Sequence, residues 1–401
     1  MRRIVGIFLA FLFVFIPTFQ GTAQTAPAVS AGSRLSGISA EAGFSIETRQ
    51  GYKVLTVSKL WPGSASRKTY VLYPRGSQPP RDIKADLFVP VPVQRVVLYS
   101  TTYIPALETI GELDSIVGVD NAGFVYSPQL RARIAAGKVV ETTKNWMPDI
   151  ERLVALKPDV IFNYGLGNEW DTFPKMQEVG LPVVLLGEWN EPDPLVRAEW
   201  AVFIAAFYNK EAEALARLET VRSEYARLKT LAAGAGSAGT LPAKSAAPQG
   251  ASTLPARPRV LVNGPFQGVW TVSGGQSYMA RLIADAGGAY LWADNRESGG
   301  LSLSVEAVFE RALGADVWLN PAYGAQKLAD VKALDPRFSA LPVLKKGNVW
   351  NNDRRMSPGG GNDYFESAVM NPHLVLADLT AIFHPELLPN HAFTYYRKIV
   401  E

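Results

Sequence analysis

Side chains able to carry out acid–base, nucleophilic or metal-binding chemistry are sparse in this sequence. There is no cysteine, and the only histidines are His373, His384 and His391, all near the C-terminal end. His373 follows a proline at a predicted helix start and His384 precedes one at a predicted helix end, which favours helix-terminal roles over metal binding. Without cysteine or a histidine cluster, a zinc or copper site built from protein side chains is not expected.

The sequence also lacks the patterns of hydrolases and nucleotide-binding enzymes. No G-x-S-x-G motif occurs and the first half of the chain has no histidine, so a Ser-His-Asp hydrolase is not expected. The glycine run Gly359–Gly361 has neither the strand–turn–helix context nor the lysine of a phosphate-binding loop. Carboxylate pairs that meet across a cleft stay open as an alternative. We predict no catalytic residue, no resident metal and no cofactor.

Aromatic and cationic side chains at predicted strand ends indicate binding instead. Tyrosine and tryptophan offer flat apolar area with a polar tip, and arginine pairs in a fork geometry with carboxylates or phosphates. Together they suit a large, flat or anionic ligand, whereas the competing interpretation is that most of the aromatic residues lie in the core. The predicted ligand-binding residues are Tyr103, Trp146, Trp170, Trp189, Trp270, Tyr278, Trp292, Arg354 and Tyr364, with Tyr164, Tyr323, Trp350, Arg296 and Arg355 of the same kind nearby.

The elements that would position these side chains include a repeated helix–strand unit. Asp149–Gly165 predicts an amphipathic helix that ends at Lys157-Pro158 and leads directly into a short apolar strand, because proline has no N–H to donate and disfavours helical geometry in the residue before it. Val305–Gly324 repeats the pattern. Such units are typical of parallel α/β sheets. Two of them predict two lobes whose strand ends face one cleft, where α/β sheets bind ligands.

The remaining segments complete the predicted organisation. Arg2-Arg3, an apolar core at Ile4–Pro17 and small residues up to Ala23 are typical of a cleaved secretory signal. Asp193-Pro194 is a strong helix start, and the low-complexity insertion cannot bury enough apolar surface to fold. The predicted domains are a signal peptide (1–23), a leader and β-rich extension (24–94), an N-terminal α/β lobe (95–192), an interlobe helix (193–209) and a C-terminal α/β lobe (210–401) with a flexible insertion (232–258).

Charge and cysteine content bear on partners and location. A formal net charge of +3 gives no electrostatic reason to expect nucleic acid binding. No cysteine follows the predicted signal, so the lipid attachment of bacterial lipoproteins is not expected. We therefore expect a soluble monomer in a bacterial periplasm, without stable membrane insertion once the signal is removed.

Several motifs resemble the periplasmic substrate-binding proteins of ABC importers for vitamin B12, haem and ferric siderophores. They include IERLVALKPDVIFNYG, GGQSYMARLIADAGGAYLWAD and LVLADLTAIFHPELLP, and the resemblance covers about residues 44–398 outside the insertion. It implies two Rossmann-like lobes with parallel sheets, joined by a long rigid helix, with a metal chelate bound in the cleft between them. It also implies an ABC importer permease as partner and no catalytic activity.

The resemblance implies that a glutamate on each lobe docks onto the permease. Glu151 matches the first-lobe position, whereas the second-lobe position is occupied by Arg281, so Glu306 or Asp285 is expected to substitute. Two other functions stay open as alternatives: an enzyme on the same scaffold, such as a chelatase or a hydrolase of the chelate, and a sensor module without transport. The sequence does not choose among cobalamin, haem and siderophore.

Overall fold

A computed structural model describes residues 32–237 and 257–401, so the predicted signal peptide lies outside the described residues. The N-terminal extension is a sheet of five strands, β1 (Ser33–Arg34), β2 (Phe44–Arg49), β3 (Tyr52–Val57), β4 (Lys68–Pro74) and β5 (Leu87–Val91). The strands follow one another in sequence order and are antiparallel except for the β4–β5 pair. The β-branched and aromatic runs of the extension therefore form strands as predicted.

The N-terminal lobe is built on a parallel sheet. The strands of this region are β6 (Val96–Leu98), β7 (Ile116–Val119), β8 (Val140–Glu141), β9 (Thr143–Lys144), β10 (Met147–Pro148), β11 (Val160–Tyr164) and β12 (Val183–Leu186). Five of them pair in the order β12-β11-β6-β7-β8, and β9 and β10 form a separate hairpin. The helices are α1 (Ile104–Thr109), α2 (Pro128–Ala135), α3 (Ile150–Leu156) and α4 (Phe173–Glu178).

The helix that joins the lobes lies later in the chain than predicted. Three helices follow the first lobe, α5 (Pro194–Ala198), α6 (Trp200–Ala206) and α7 (Glu211–Ser237). Asp193 caps α5 as expected, with its carboxylate 2.8 Å from the backbone nitrogen of Leu195. The predicted helix over 193–209 is interrupted at Glu199, between α5 and α6, and the chain turns with a left-handed φ of 57° at Asn209, where that helix was predicted to end.

The apolar faces of these helices explain their roles. Trp200 and Phe203 of α6 are fully buried with Phe44 of the extension, inside the core of the N-terminal lobe. Leu218 of α7 belongs to that same core, whereas Leu228, further along α7, lies in the core of the C-terminal lobe. The interlobe helix is therefore α7. Its last six residues, 232–237, extend into the predicted insertion, of which residues 238–256 lie outside the described part of the chain.

The C-terminal lobe has a mixed sheet and a second, smaller antiparallel one. Its strands are β13 (Arg259–Val262), β14 (Pro265–Phe266), β15 (Val269–Ser273), β16 (Ala289–Tyr290), β17 (Gly300–Ser304), β18 (Val317–Leu319), β19 (Val349–Asn351) and β20 (Arg397–Lys398). The main sheet has the order β16-β13-β18-β19-β20 and is parallel except for β20, while β14, β15 and β17 form the smaller sheet. The helices are α8 (Tyr278–Asp285), α9 (Val305–Ala312), α10 (Leu328–Lys332), α11 (Pro342–Lys345), α12 (Asp363–Glu366) and α13 (Pro372–Phe383).

Both predicted helix–strand units are present. Asp149 caps α3 through the backbone nitrogen of Arg152 (3.1 Å), and the helix ends at Lys157, which takes a left-handed φ of 46° just before Pro158. The chain then enters β11. In the second copy Ser304 caps α9, which leads into β18. The two-lobed α/β architecture predicted from these units is confirmed.

The N-terminal sheet closes one edge of the first lobe. The edge strand β12 has a backbone N–H at Leu185 that donates to the hydroxyl of Tyr70 on β4, at 2.8 Å. The buried carboxylate of Glu191 accepts from the backbone N–H of Gly43 (2.6 Å) and the indole N–H of Trp200 (3.2 Å). These contacts make the extension an integral part of the N-terminal lobe. They also cover an edge strand, and an open sheet edge promotes association between chains. No described helix is both long and apolar enough to cross a bilayer.

Candidate functional site

The two lobes meet beside the carboxyl ends of their parallel strands. Residues Ala122–Phe124 form a short 3-10 turn after β7, and the glycine-rich loop 357–361 of the C-terminal lobe lies against it. The approach is close enough to require glycine at Gly359, where a Cβ atom would lie 2.9 Å from the carbonyl oxygen of Gly123. This contact places the loops of both lobes at one cleft, where α/β proteins bind ligands.

Large aromatic side chains are exposed at these strand ends. The exposed fraction is 75% for Trp146 between β9 and β10, 74% for Trp170 after β11, and 73% for Tyr323 after β18. Phe124 is also exposed, and its ring centroid lies 6.1 Å from that of Trp146. Grouped apolar exposure of this kind marks a binding surface.

The turn that carries Trp146 is conformationally strained. Asn145 and Trp146 join β9 to β10 as a two-residue turn, and both have positive φ, 53° and 64°. Asparagine tolerates this geometry, but the second position of such a turn usually holds glycine. A bulky residue with left-handed φ is a rare outlier that costs on the order of 1–3 kcal/mol, and such strain concentrates at functional sites. The fold therefore holds the Trp146 ring outward at a cost in stability.

The glycine-rich loop 357–361 contacts the Ala122–Phe124 turn of the first lobe and Tyr323 of its own lobe. A side chain at Gly361 would collide with the carbonyl oxygen of Phe124, and the hydroxyl of Tyr323 donates to the carbonyl oxygen of Gly360 at 3.0 Å. Phe124 from one lobe and Tyr323 from the other thus both contact this loop, and Trp146 lies beside Phe124. We call these three residues the aromatic rim.

A separate cavity of about 220 Å³ lies at the interface between the lobes. We call it the inner cavity. Its volume lies below the 300–1,000 Å³ of typical pockets for drug-sized ligands. Its walls come from both lobes and from α5, and they include Thr101, Arg197, Tyr278, Leu282, Tyr364 and Phe365.

Buried acidic and phenolic groups lie at the strand ends of the first lobe. One carboxylate oxygen of Glu188 accepts from the hydroxyl of Thr102 at 2.9 Å, and burial raises the pKa of Glu188 while the positive charge of Arg197 opposes the shift. Burial and then the negative charge of Glu188 raise the pKa of Tyr103 well above its ordinary value. Burial also raises the pKa of Asp120, after β7, to about 6. Burial thus disfavours the charged form of each of these groups.

Comparison with known proteins identifies the fold family. A family model described as periplasmic binding protein matches residues 96–355. The chain belongs to the periplasmic binding protein family. The family model begins at β6, so the N-terminal extension precedes the matched region.

Individual proteins and solved structures are also similar to this chain. An uncharacterized lipoprotein of Methanocaldococcus jannaschii is 27% identical over 318 residues, covering 77% of this chain and 69% of the relative. A periplasmic heme binding protein from Pseudomonas aeruginosa has a TM-score of 0.53 at 18% identity, covering 73% of this chain and 93% of its own. The periplasmic vitamin B12 binding protein of Vibrio cholerae has a TM-score of 0.50 at 12% identity, covering 75% and 99%. At these identities the solved structures support the fold.

The residues predicted to bind ligand divide into three groups in this periplasmic binding protein. Trp146, Trp170 and Arg354 are exposed at strand ends. Tyr278 and Tyr364 line the inner cavity. The remaining four lie elsewhere, as Trp189 is half-buried and Tyr103, Trp270 and Trp292 are buried. Their roles in binding stay predictions, but the buried rings present little surface to a ligand.

The buried rings have clear structural roles. Trp270 stacks on Trp318 at 5.5 Å and donates its indole N–H to the carbonyl oxygen of Val262 at 3.2 Å, because alternate residues of β15 face the core. The Tyr103 ring packs edge-on against Phe162 at 6.2 Å. Trp292 lies beneath the Arg311 guanidinium, which is 5.5 Å from its ring.

Phe124 and Arg197 were not predicted as site residues. Phe124 sits in the polar turn after β7, next to two small residues, and nothing in its local sequence marks it as a binding residue. Arg197 carried a detectable signal, since it precedes Trp200 by one turn on an otherwise apolar helical face. A lone cation on such a face indicates an unusual environment.

The residues predicted to dock onto a permease differ in their surroundings. Glu151 is exposed in the first turn of α3. Glu306 is exposed too, but its carboxylate lies 2.8 Å from the guanidinium of Arg337. Arg281 pairs with Asp193 at 3.1 Å. Both glutamates stay predictions for docking, and a partner arginine at Glu306 would have to displace Arg337.

Within residues 32–237 and 257–401, no group of three or more His, Asp or Glu side chains is arranged to hold a metal ion.

Proposed function

We propose that this protein captures a metal chelate and delivers it to an ABC importer, acting as a monomeric binding protein without chemistry of its own. The chelate would belong to the haem, ferric siderophore or cobalamin classes. The proposed place of action is outside the cytoplasmic membrane, in keeping with the family. The solved relatives named for heme and vitamin B12 binding support this range of ligands.

The observation that carries the proposal is the exposed, strained Trp146 at the aromatic rim. A ring held outward at a conformational cost is explained if it stacks on a ligand. Phe124 and Tyr323 add flat surface from both lobes, and aromatic pairs contribute about 0.5–1.5 kcal/mol each beyond their buried area. Because the rim is formed before the ligand arrives, little ordering cost opposes binding.

The size of the proposed chelates favours the aromatic rim over the inner cavity as their binding site. The inner cavity of about 220 Å³ is smaller than typical pockets for drug-sized ligands, whereas the aromatic rim is open to solvent. A large chelate would therefore lie across Trp146 and Tyr323, against the loop at Gly360.

The direct test is ligand-dependent stabilisation of the purified protein. Binding to the native state raises the thermal midpoint by mass action, so haemin, cobalamin and a ferric hydroxamate are added separately, each with its metal-free counterpart as control. We expect at least one chelate to raise the midpoint by several degrees at a concentration far above its Kd. No shift with any chelate would contradict the proposal, and conversion of the chelate by the protein alone would favour the enzyme alternative.

A further inference from the structure

Arg197 has an environment unlike that of the other partly buried arginines. Its guanidinium makes no hydrogen bond or ion pair with any residue of the described ranges, and its buried Nε atom has no partner there. It lies over the ring of Tyr278, 4.6 Å from the ring centroid. By contrast, Arg222 pairs with Glu199 at 2.6 Å and Arg397 with Asp353 at 2.7 Å. Arg197 thus presents unused donors to the inner cavity that it lines.

Glu188, where the charge of Arg197 opposes the rise in pKa that burial causes, forms no ion pair with that arginine. Glu188 lies beyond the 4.0 Å of an ion pair with Arg197, and its Oε2 atom has no partner among the described residues. Burial raises the pKa of Glu188, which favours the neutral carboxyl group. A partly buried cation without a partner is costly, and an anion beside it removes that cost.

The other walls of the inner cavity define the rest of the ligand. Leu282, Phe365 and Val375 supply apolar surface. Tyr364 lines the same cavity and is buried. An apolar cavity of about 150 Å³ already accepts benzene, so about 220 Å³ accommodates a ring-sized body with one carboxylate.

We propose that the inner cavity binds a compact organic monocarboxylate, whose carboxylate pairs with Arg197 and whose apolar body contacts Leu282, Phe365 and Val375. The site is separate from the aromatic rim, and its occupant is too small to be the metal chelate. Because Thr101 belongs to the first lobe and Tyr364 to the second, the bound acid contacts both lobes at once.

The test compares three probes on the full chain. Benzoate carries both the carboxylate and the apolar ring, benzyl alcohol carries the ring without the carboxylate, and acetate carries the carboxylate without the ring. We expect benzoate to bind at least tenfold more tightly than either of the others by calorimetry, with a matching rise of the thermal midpoint. Equal effects of benzoate and benzyl alcohol would overturn the role of Arg197.

Two variants locate the site. Arg197→Met keeps the length of the side chain and removes the unpaired charge, so the protein should fold and should bind benzoate at least tenfold more weakly. Ala368→Leu narrows the cavity without touching Arg197 and should weaken benzoate binding as well. Unchanged binding in both variants would overturn the proposal.

The matched control is Trp146→Gly at the aromatic rim, which should leave benzoate binding unchanged. Conversely, Arg197→Met should leave chelate binding unchanged. If benzoate competed with a chelate and Arg197→Met abolished both, the cavity would be part of the chelate site and the separate site would be refuted. Failure of the chelate proposal alone would leave the benzoate result intact.

Discussion

The carboxylate of Glu366, in the C-terminal lobe, accepts a hydrogen bond of 2.8 Å from the backbone N–H of Ser127, in the N-terminal lobe. Its second oxygen accepts from the backbone N–H of Tyr126 at 2.7 Å. Ser127 is the N-cap of α2, so one carboxylate satisfies two donors at the start of a helix. We call this contact the lobe clasp, because it joins the lobes beside the aromatic rim.

The lobe clasp should make stability depend on pH. Burial raises the pKa of Glu366 to about 7, opposed by the backbone hydrogen bonds. Because the folded-state pKa exceeds the unfolded one, this group binds more protons when folded, and its contribution to stability is lost as the pH rises from about 4.5 to about 7. The loss over the full window is on the order of 3 kcal/mol. We expect the free energy of unfolding, measured with urea, to fall less steeply over this window in Glu366→Gln.

Other titrating groups define the control for that comparison. Burial raises the pKa of Asp120 to about 6, which acts in the same direction, and lowers the pKa of His373 to about 4, which acts in the opposite one. Neither group is altered in Glu366→Gln, so the difference between the two pH profiles isolates Glu366. Superimposable profiles would show that Glu366 does not titrate in this range.

Replacing Trp146 by glycine should weaken chelate binding without lowering the free energy of unfolding. Glycine relieves the left-handed strain, so we expect the free energy of unfolding to stay unchanged or to rise by about 1 kcal/mol. Loss of the stacked ring should weaken chelate binding about tenfold. Urea denaturation and calorimetry measure the two effects. The control is Leu313→Ala, an exposed apolar residue at the end of α9. Equal loss of binding in the control would argue against the rim.

The buried Glu191 should be essential for holding the N-terminal extension. Glu191→Ala removes the acceptor of the Gly43 and Trp200 N–H groups and leaves both donors buried, which costs on the order of 2–4 kcal/mol. The free energy of unfolding should drop by this amount, and limited proteolysis should cut the extension first. Glu213→Ala, at an exposed position of α7, serves as the matched control. A resistant extension in Glu191→Ala would contradict the anchoring role.

Charge reversal at Glu151 should impair delivery of the chelate to the permease but should not change binding of the chelate to this protein. We expect Glu151→Lys to leave chelate affinity unchanged and to reduce stimulation of the importer ATPase in proteoliposomes at least tenfold, because like charges would meet at the contact. Glu178→Lys, at an exposed position of α4, introduces the same charge elsewhere on this lobe. Full stimulation by Glu151→Lys would remove this glutamate from the docking surface.

Local signals predicted the repeated units well. Pro158 and the Asp149 cap determine where α3 ends and begins, and both act within a few residues of sequence. The strands of the extension were likewise predictable from β-branched and aromatic runs. Fold elements of this kind depend on short-range physics that a single sequence displays.

The positions of single side chains depended on partners distant in sequence. Trp270 was predicted at the cleft, yet it is buried. The pairing of β15 with β17 orients the Trp270 side of β15 toward Trp318 in the core. The joining helix was misplaced because the aromatic residues of α6 could equally have covered an interface between lobes. Only the packing of Phe44 from the extension assigns them to the first lobe.

The interlobe helix α7 has 27 residues, which corresponds to about 40 Å. Its first half is embedded in one core and its second half in the other, through Leu218 and Leu228. Rotation of one lobe about α7 would separate side chains from a packed interior, whereas parting the loops at Glu366 breaks a few hydrogen bonds, among them the two that Glu366 accepts and the one that Arg355 donates to the hydroxyl of Tyr126. Ligand exchange should therefore require only a local separation of the loops around Glu366. The two lobes should otherwise keep their relative positions, with almost no change in the radius of gyration.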